Sequence, residues 1–120
     1  MRILIVEDEP AGRTLLTLML EGEHEVLAVA SVDEAERQLT TGTWQLLITD
    51  YKMPGKSGVD LIENQIIRGS AVPIILMTGQ GSKDSGLKQV RNKVRKFLTK
   101  PFSRDDLMTA IAEVATIPAG

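Results

Sequence analysis

The chain has 120 residues, of which 42% are hydrophobic and 25% charged, so we expect residues 1–120 to form one domain with one adequate core. Cys is absent and His24 is the only histidine, which excludes disulfide frameworks, zinc clusters and thiol catalysis. The formal net charge of −2 argues against a globally basic nucleic-acid binder, although residues 81–120 carry 8 basic and 4 acidic side chains.

Short apolar runs recur along the whole chain and predict strands. They are continuous and mostly rich in β-branched residues, as is typical of parallel strands that are buried on both faces. The longest lies within Val72–Met77 and is far shorter than the ~18 residues of a membrane span. The five runs are Ile3–Val6, Val26–Val29, Leu46–Ile48, Pro73–Met77 and the pair Phe97 and Leu98.

Each run is followed by apolar residues at helical spacing, which predicts five helices. Ser31, Ser57 and Ser103 each precede a carboxylate by three residues, a pattern that resembles a capping box. Pro10 fits the first turn of the first helix. The alternation predicts an α/β fold, (βα)5, with a doubly wound parallel five-stranded sheet. The periodic residues are Leu15, Leu18 and Met19; Val32, Ala35 and Leu39; Val59, Ile62 and Ile66; Leu87, Val90 and Val94; and Leu107, Ala110, Ile111 and Val114.

Polar side chains follow four of the five predicted strands. The second strand ends in Ala30 and Ser31 and carries no candidate beyond a helix cap, which suits an edge position. A strand order of 2-1-3-4-5, known from flavodoxin-like folds, gives that arrangement, and ligands of such sheets bind at the carboxyl ends of the strands. The candidates are Glu7 and Asp8 after strand 1, Asp50 after strand 3, Thr78 after strand 4 and Lys100 after strand 5.

Three carboxylates that converge at this edge require a cation. At a separation of roughly 5 Å and an effective dielectric constant near 20, each pair repels by about 3 kcal/mol. Lys100 supplies one positive charge, and a site with few carboxylates and open positions suits Mg²⁺. Together with the Thr78 hydroxyl, and with Gly79 leaving the approach unobstructed, these groups predict a phosphoryl site. Taken singly, each carboxylate is better explained as a solvated strand-end side chain, and only the combination with Thr78 and Lys100 favours the phosphoryl site.

Four segments, in order along the chain, resemble the receiver domain of two-component response regulators. The resemblance covers all five strand–helix units and implies the flavodoxin-like fold. The segments are Ile3-Leu4-Ile5-Val6-Glu7-Asp8-Glu9, Ile48-Thr49-Asp50-Tyr51-Lys52-Met53-Pro54-Gly55-Lys56-Ser57-Gly58, Ile75-Leu76-Met77-Thr78-Gly79 and Phe97-Leu98-Thr99-Lys100-Pro101-Phe102.

The resemblance implies a role for each candidate residue. Asp50 would be the phospho-acceptor, and Mg²⁺ or Mn²⁺ would be the metal, with no organic cofactor. The bond between Lys100 and Pro101 would be cis. The metal ligands would be Glu7, Asp8, Asp50 and the backbone carbonyl of Lys52, and the phosphoryl-binding and switch residues would be Thr78, Gly79, Lys100 and Phe97.

The resemblance also implies the partners. The phosphoryl donor would be a sensor histidine kinase or a histidine phosphotransfer protein, docking near the first helix. The response would reach an unidentified output domain or protein through the surface of the fourth helix, fifth strand and fifth helix, which also suits a homodimer. We expect a cytoplasmic signalling module rather than an enzyme, with no membrane contact and no direct contact with nucleic acid.

Several positions depart from the commoner family pattern. Glu7 replaces a frequent Asp, and Phe97 lacks the hydroxyl of a frequent Tyr. Lys93 and Val94 stand where a Gly-Ala pair usually ends the fourth helix, so Asn92 is the best candidate for a left-handed helix end. Lys88, Arg91 and Arg95 form a basic stripe, either a solvated face or a docking surface for an acidic partner.

Two other functions remain open. A haloacid-dehalogenase-type phosphatase also uses an Asp nucleophile and Mg²⁺, but it requires a second Asp two residues later, where this chain has Lys52. A phosphorylation-independent interaction module with a receiver-like fold usually lacks part of the acidic, Asp, Thr and Lys set, which is complete here.

Overall fold

The apolar runs of the sequence form the five strands of one parallel sheet. A computed structural model of the protein describes residues 1–53, 55, 57–79 and 90–116. The strand order is β2-β1-β3-β4-β5, which confirms the predicted topology. The strands are β1 (Arg2–Val6), β2 (Glu25–Val29), β3 (Leu46–Asp50), β4 (Ile74–Thr78) and β5 (Lys96–Thr99).

The helices begin where the sequence predicts them. Pro10 opens α1, and the Ser31 hydroxyl accepts a hydrogen bond from the Glu34 amide at 3.2 Å at the start of α2. Ser57 and Asp60 form a complete capping box at the start of α3. No helix in the described ranges combines the length and the apolar character needed to cross a membrane. The helices are α1 (Pro10–Leu20), α2 (Val32–Thr41), α3 (Gly58–Ile67) and α4 (Arg104–Thr116), of which α4 is the fifth predicted helix.

The sheet carries an apolar core on each face because successive side chains of a strand point in opposite directions. In β1, Leu4 and Val6 belong to the core under α2 and α3, whereas Ile3 and Ile5 belong to the core under α1 and α4. Each continuous apolar run therefore supplies side chains to the cores on both faces of the sheet. This packing fixes the strand ends at one edge of the sheet, where polar residues follow β1, β3, β4 and β5.

The second strand differs from the prediction. Its continuous apolar run, Val26–Val29, predicts burial on both faces, but β2 alternates, with Glu25 and Leu27 exposed and Val29 buried. The reason is its position at the edge of the sheet, where β2 pairs only with β1.

The predicted end of the fourth helix is also wrong. Leu87 and Lys88 lie outside the described residues, and Val90 is a buried helical residue. Arg91–Lys93 form a 3₁₀ turn, and Val94 is already extended. Among the described residues only Gly55 and Gly69 have a positive φ, so Asn92 is not left-handed. The tighter 3₁₀ turn ends the helix and leads straight into β5, which makes a left-handed residue unnecessary.

Gly58 allows α3 to start close against the end of β3. Its amide donates a hydrogen bond to the Tyr51 carbonyl at 2.9 Å. A Cβ at this position would clash with the backbone carbonyl oxygen of Asp50, which no side-chain rotation relieves. The glycine therefore fixes the approach of α3 to the strand that carries Asp50.

We expect Gly58→Ala to lower the free energy of unfolding by about 2 kcal/mol, because the clash is with backbone rather than with a mobile side chain. Urea denaturation measures this. Gly22→Ala is the matched control, since a Cβ there would have nothing within 4 Å, and it should leave stability nearly unchanged. Equal effects of the two substitutions would contradict the packing argument.

Candidate functional site

Three carboxylates meet at the carboxyl ends of β1 and β3. Glu7 and Asp8 follow β1, and Asp50 is the last residue of β3. Because the two strands are neighbours and Val6 pairs with Thr49, their ends bring these side chains together. One oxygen atom of each carboxylate lies within 4.8 Å of the others. At this distance each pair repels by about 3 kcal/mol at an effective dielectric constant near 20.

Lys100 neutralises part of this charge. Its ammonium lies 3.0 Å from Glu7 Oε1 and 3.0 Å from Asp50 Oδ2. The Glu7 side chain is 5% exposed and that of Asp50 14%, whereas the Lys100 side chain is 35% exposed. The peptide bond between Lys100 and Pro101 is cis, as the family resemblance implies.

Two opposing effects act on the Lys100 ammonium. Burial lowers its pKa, but its hydrogen bonds with Asp50 and Glu7 and the attraction of both carboxylates raise it. The net result is a pKa above the ordinary value for lysine. The ammonium is therefore charged throughout the neutral range and persists as the counter-ion of the acidic cluster.

Backbone groups and one further side chain hold the carboxylates in place. The Tyr51 amide donates a hydrogen bond to Asp50 Oδ1 at 2.9 Å. The Arg13 guanidinium donates to the backbone carbonyls of Glu7 and Asp8, both at 2.9 Å. Sequence reasoning missed Arg13, although it is the only Lys or Arg between Arg2 and Arg37 and follows the acidic pair closely.

The fourth and fifth strands end beside this cluster. Thr78, the last residue of β4, is buried, and its carbonyl accepts a hydrogen bond from the Lys100 amide at 2.7 Å. Gly79 follows it and is exposed. Phe97 pairs with Leu76 in the sheet and packs, half-buried, against the core under α2 and α3. The structure thus joins Glu7, Asp8, Asp50 and Lys100 directly and sets Thr78 and Gly79 at the neighbouring strand end.

The remaining predicted ligand is the backbone carbonyl of Lys52, which stays a prediction. The Lys52 side chain is exposed, with its ammonium 6.0 Å from the centre of the Tyr51 ring. Pro54 and Lys56, which belong to the same motif, lie outside the described residues.

The residues of the cluster fit a hard divalent cation. Three carboxylates and one ammonium leave an excess of negative charge, and carboxylate oxygens are the ligands that Mg²⁺ prefers. Glu7 Oε2 is buried and has no hydrogen-bond partner among the described residues. A buried carboxylate oxygen without a partner is costly unless a cation satisfies it.

The comparisons with known proteins agree with the fold and with the family resemblance. A family model described as the response regulator receiver domain matches residues 3–112. The response regulator protein FleR of Pseudomonas aeruginosa is 34% identical over 95% of this chain and 24% of its own length. A crystal structure of a receiver domain from Clostridium thermocellum has a TM-score of 0.83 and 31% identity, covering 94% of this chain and 92% of that one.

A second solved structure is the response regulator protein TrrA of Thermotoga maritima, described as a complex with Mg(2+)-BeF. Its TM-score is 0.80 and its identity 28%, over 94% of this chain and 97% of that one. The chain belongs to the receiver domain family of response regulators. It spans between 24% and 50% of the length of the first curated relatives it matches.

We expect Lys100→Met to lower the free energy of unfolding by about 1–2 kcal/mol, because Glu7 and Asp50 would then face each other without a counter-ion. Because Lys100 is partly exposed, the expected loss of stability is smaller than the cost of breaking a fully buried ion pair. Urea denaturation in EDTA measures it. Lys96→Met, which breaks an exposed ion pair with Glu113 of 2.8 Å, is the control and should cost less than about 1 kcal/mol. Equal losses would contradict the prediction.

The raised pKa of Lys100 also predicts how its contribution depends on pH. A base whose pKa is higher in the folded state stabilises fully below its unfolded pKa and loses that contribution as pH rises through the folded value. The stability difference between the wild-type protein and Lys100→Met should therefore stay constant at neutral pH and shrink at alkaline pH. Urea titrations across this range in EDTA test it, and a difference that grows with pH would refute it.

Proposed function

We propose that this domain is a signalling switch that accepts a phosphoryl group on Asp50 from a phosphohistidine of a sensor histidine kinase or histidine phosphotransfer protein. The observation that carries the proposal is the Asp50 carboxylate at the carboxyl edge of the sheet, in contact with Lys100 and close to Glu7 and Asp8. Family membership supports it. We propose that residues 1–120 form this single domain and that it acts in the cytoplasm.

Asp50 would act as the nucleophile. Its Oδ1 accepts a hydrogen bond from the Tyr51 amide and its Oδ2 contacts Lys100, so the carboxylate is oriented before a donor arrives. One of its oxygens would form the new bond to phosphorus as the phosphorus–nitrogen bond of the donor breaks and the imidazole leaves.

Glu7, Asp8, Asp50 and the backbone carbonyl of Lys52 would hold Mg²⁺ or Mn²⁺. When bound, such an ion neutralises the charge of the transferred phosphoryl oxygens. The description of the TrrA structure as a Mg(2+)-BeF complex supports this for a relative of the same fold. Around the phosphoryl group, Thr78 would contribute a hydroxyl and Lys100 an ammonium. Gly79 would leave the approach unobstructed.

The exposed apolar side chains of α1 support docking of the donor there. Leu15 and Leu18 are exposed although Leu16 and Leu20 of the same helix belong to the core. An apolar helix surface next to the carboxylates suits a helical donor that must bring its phosphohistidine to Asp50.

Phosphorylation would act on the output by shifting a conformational equilibrium. The added charge favours the arrangement in which Thr78 contacts the phosphoryl group and Phe97 changes its packing. Thr78 and Phe97 lie on the paired strands β4 and β5, so a change at one affects the other. The output partner, or a second copy of the domain, would bind the surface of the fourth predicted helix, β5 and α4. The domain would contact neither nucleic acid nor membrane directly and would not be a turnover enzyme.

The test is phosphorylation with acetyl phosphate. We expect incubation with MgCl₂ to add a mass of about 80 Da, one phosphoryl group, to the wild-type protein. The adduct should be absent from Asp50→Asn and from a wild-type sample in EDTA. Intact-protein mass spectrometry measures both.

Three outcomes would overturn the proposal. A wild-type protein without an adduct that still binds its partner would indicate a phosphorylation-independent interaction module. Continuous hydrolysis of a small phosphomonoester would indicate a phosphatase. An adduct of equal yield in Asp50→Asn would place the acceptor elsewhere.

A further inference from the structure

We propose that Gly12 is a positioning residue that makes room for the Glu7 carboxylate and so sets where that carboxylate binds a cation. Gly12 is the third residue of α1 and faces the end of β1. A Cβ at Gly12 would lie 2.7 Å from Glu7 Oε1, 2.9 Å from its Cγ and 3.0 Å from its Cδ. The Glu7 side chain therefore occupies the volume that any other side chain at position 12 requires.

The conflict cannot be relieved without disturbing the site. The Glu7 side chain is 5% exposed, and its Oε1 holds the Lys100 ammonium at 3.0 Å. To accommodate a Cβ at position 12, the Glu7 carboxylate must leave its place, because the nearest atoms all belong to that one side chain. The backbone of α1 need not move, so we expect the fold to survive and the carboxylate geometry to change.

The size of the Glu7 side chain explains why glycine is needed. Aspartate would not remove the conflict, because its carboxyl carbon takes the place of the Glu7 Cγ, 2.9 Å from an added Cβ. Alanine at position 7 has no atom beyond Cβ and vacates the space beside Gly12. Glycine is otherwise a poor residue within a helix, second only to proline. Glu7 and Gly12 therefore form a matched pair in which the acidic side chain requires the glycine.

The consequence for cation binding rests on the proposed function, whereas the steric pairing does not. A double-mutant cycle tests both, with four proteins: wild type, Gly12→Ala, Glu7→Ala and the double variant. Calorimetric titration with MgCl₂ measures cation binding. Urea denaturation in EDTA, with the NMR shift of the Lys100 side-chain nitrogen, measures the effect on the ion pair without metal. Gly22→Ala is the control, since its Cβ would have nothing within 4 Å.

We expect Gly12→Ala to weaken Mg²⁺ binding about tenfold when residue 7 is Glu. When residue 7 is Ala, the same substitution should change the remaining affinity by about twofold at most, because the two positions no longer collide. In EDTA, Gly12→Ala should lower the urea midpoint of the protein that keeps Glu7 and shift the Lys100 nitrogen signal. Combined with Glu7→Ala it should raise the midpoint, since alanine favours the helix and the clash is absent.

Additive effects would overturn the inference. If Gly12→Ala changes Mg²⁺ affinity and the urea midpoint equally with and without Glu7→Ala, position 12 acts through the helix and not through Glu7. If the wild-type protein does not bind Mg²⁺, the proposed metal site fails, and the steric pairing is then decided by the urea midpoints and the Lys100 signal alone. A Gly12→Ala protein that keeps the Lys100 signal of the wild type would refute the pairing.

Discussion

The contact of one ammonium with two carboxylates is the constraint on which the site depends. Lys100 is separated from Glu7 by 93 residues and from Asp50 by 50, yet it lies 3.0 Å from both. The sheet order makes this possible, because β1 and β3 are neighbours and the loop after β5 reaches their ends. Without the ammonium, each pair of carboxylates at these strand ends would repel by about 3 kcal/mol. The strand order that brings the carboxylates together therefore also brings the ammonium that neutralises them.

The strand that precedes this lysine links the site to the core. Phe97 packs against the core under α2 and α3, and Lys100 follows three residues later. Between them, β5 is held to β4 by the pairing of Leu76 with Phe97 and of Thr78 with Thr99. The Lys100 amide extends this pairing through its hydrogen bond to the Thr78 carbonyl. Under the proposed function, a displacement of the end of β4 would therefore also displace β5.

Sequence alone predicted the parts of the fold that depend on short-range pattern. Helix starts at Ser31 and Ser57 and the polar strand ends follow from caps and periodicity, whereas the strand order was predicted from its match to flavodoxin-like folds. The predictions were wrong where the structure depends on contacts between segments that are distant along the chain. The exposure of β2 depends on its edge position, and the end of the fourth helix depends on how the chain enters β5. The close approach of Gly12 to the Glu7 side chain also depends on the fold, whereas Arg13, an isolated basic residue soon after the acidic pair, had a signal in the sequence.

The groups that hold the site differ in how rigidly they are placed. One backbone group and one side chain hold the acidic residues: the Tyr51 amide donates to Asp50 Oδ1, and the Arg13 guanidinium donates to the backbone carbonyls of Glu7 and Asp8. Lys100, by contrast, ends in an ammonium on a flexible stem and is the most exposed member of the ion-pair cluster that it forms with Glu7 and Asp50. Under the proposed function, Glu7 and Asp50 would hold a divalent cation, and the Lys100 ammonium would then be available to the transferred phosphoryl group. The charge that neutralises the carboxylates in the unphosphorylated domain would thus serve the phosphorylated one, while the carboxylates keep their places.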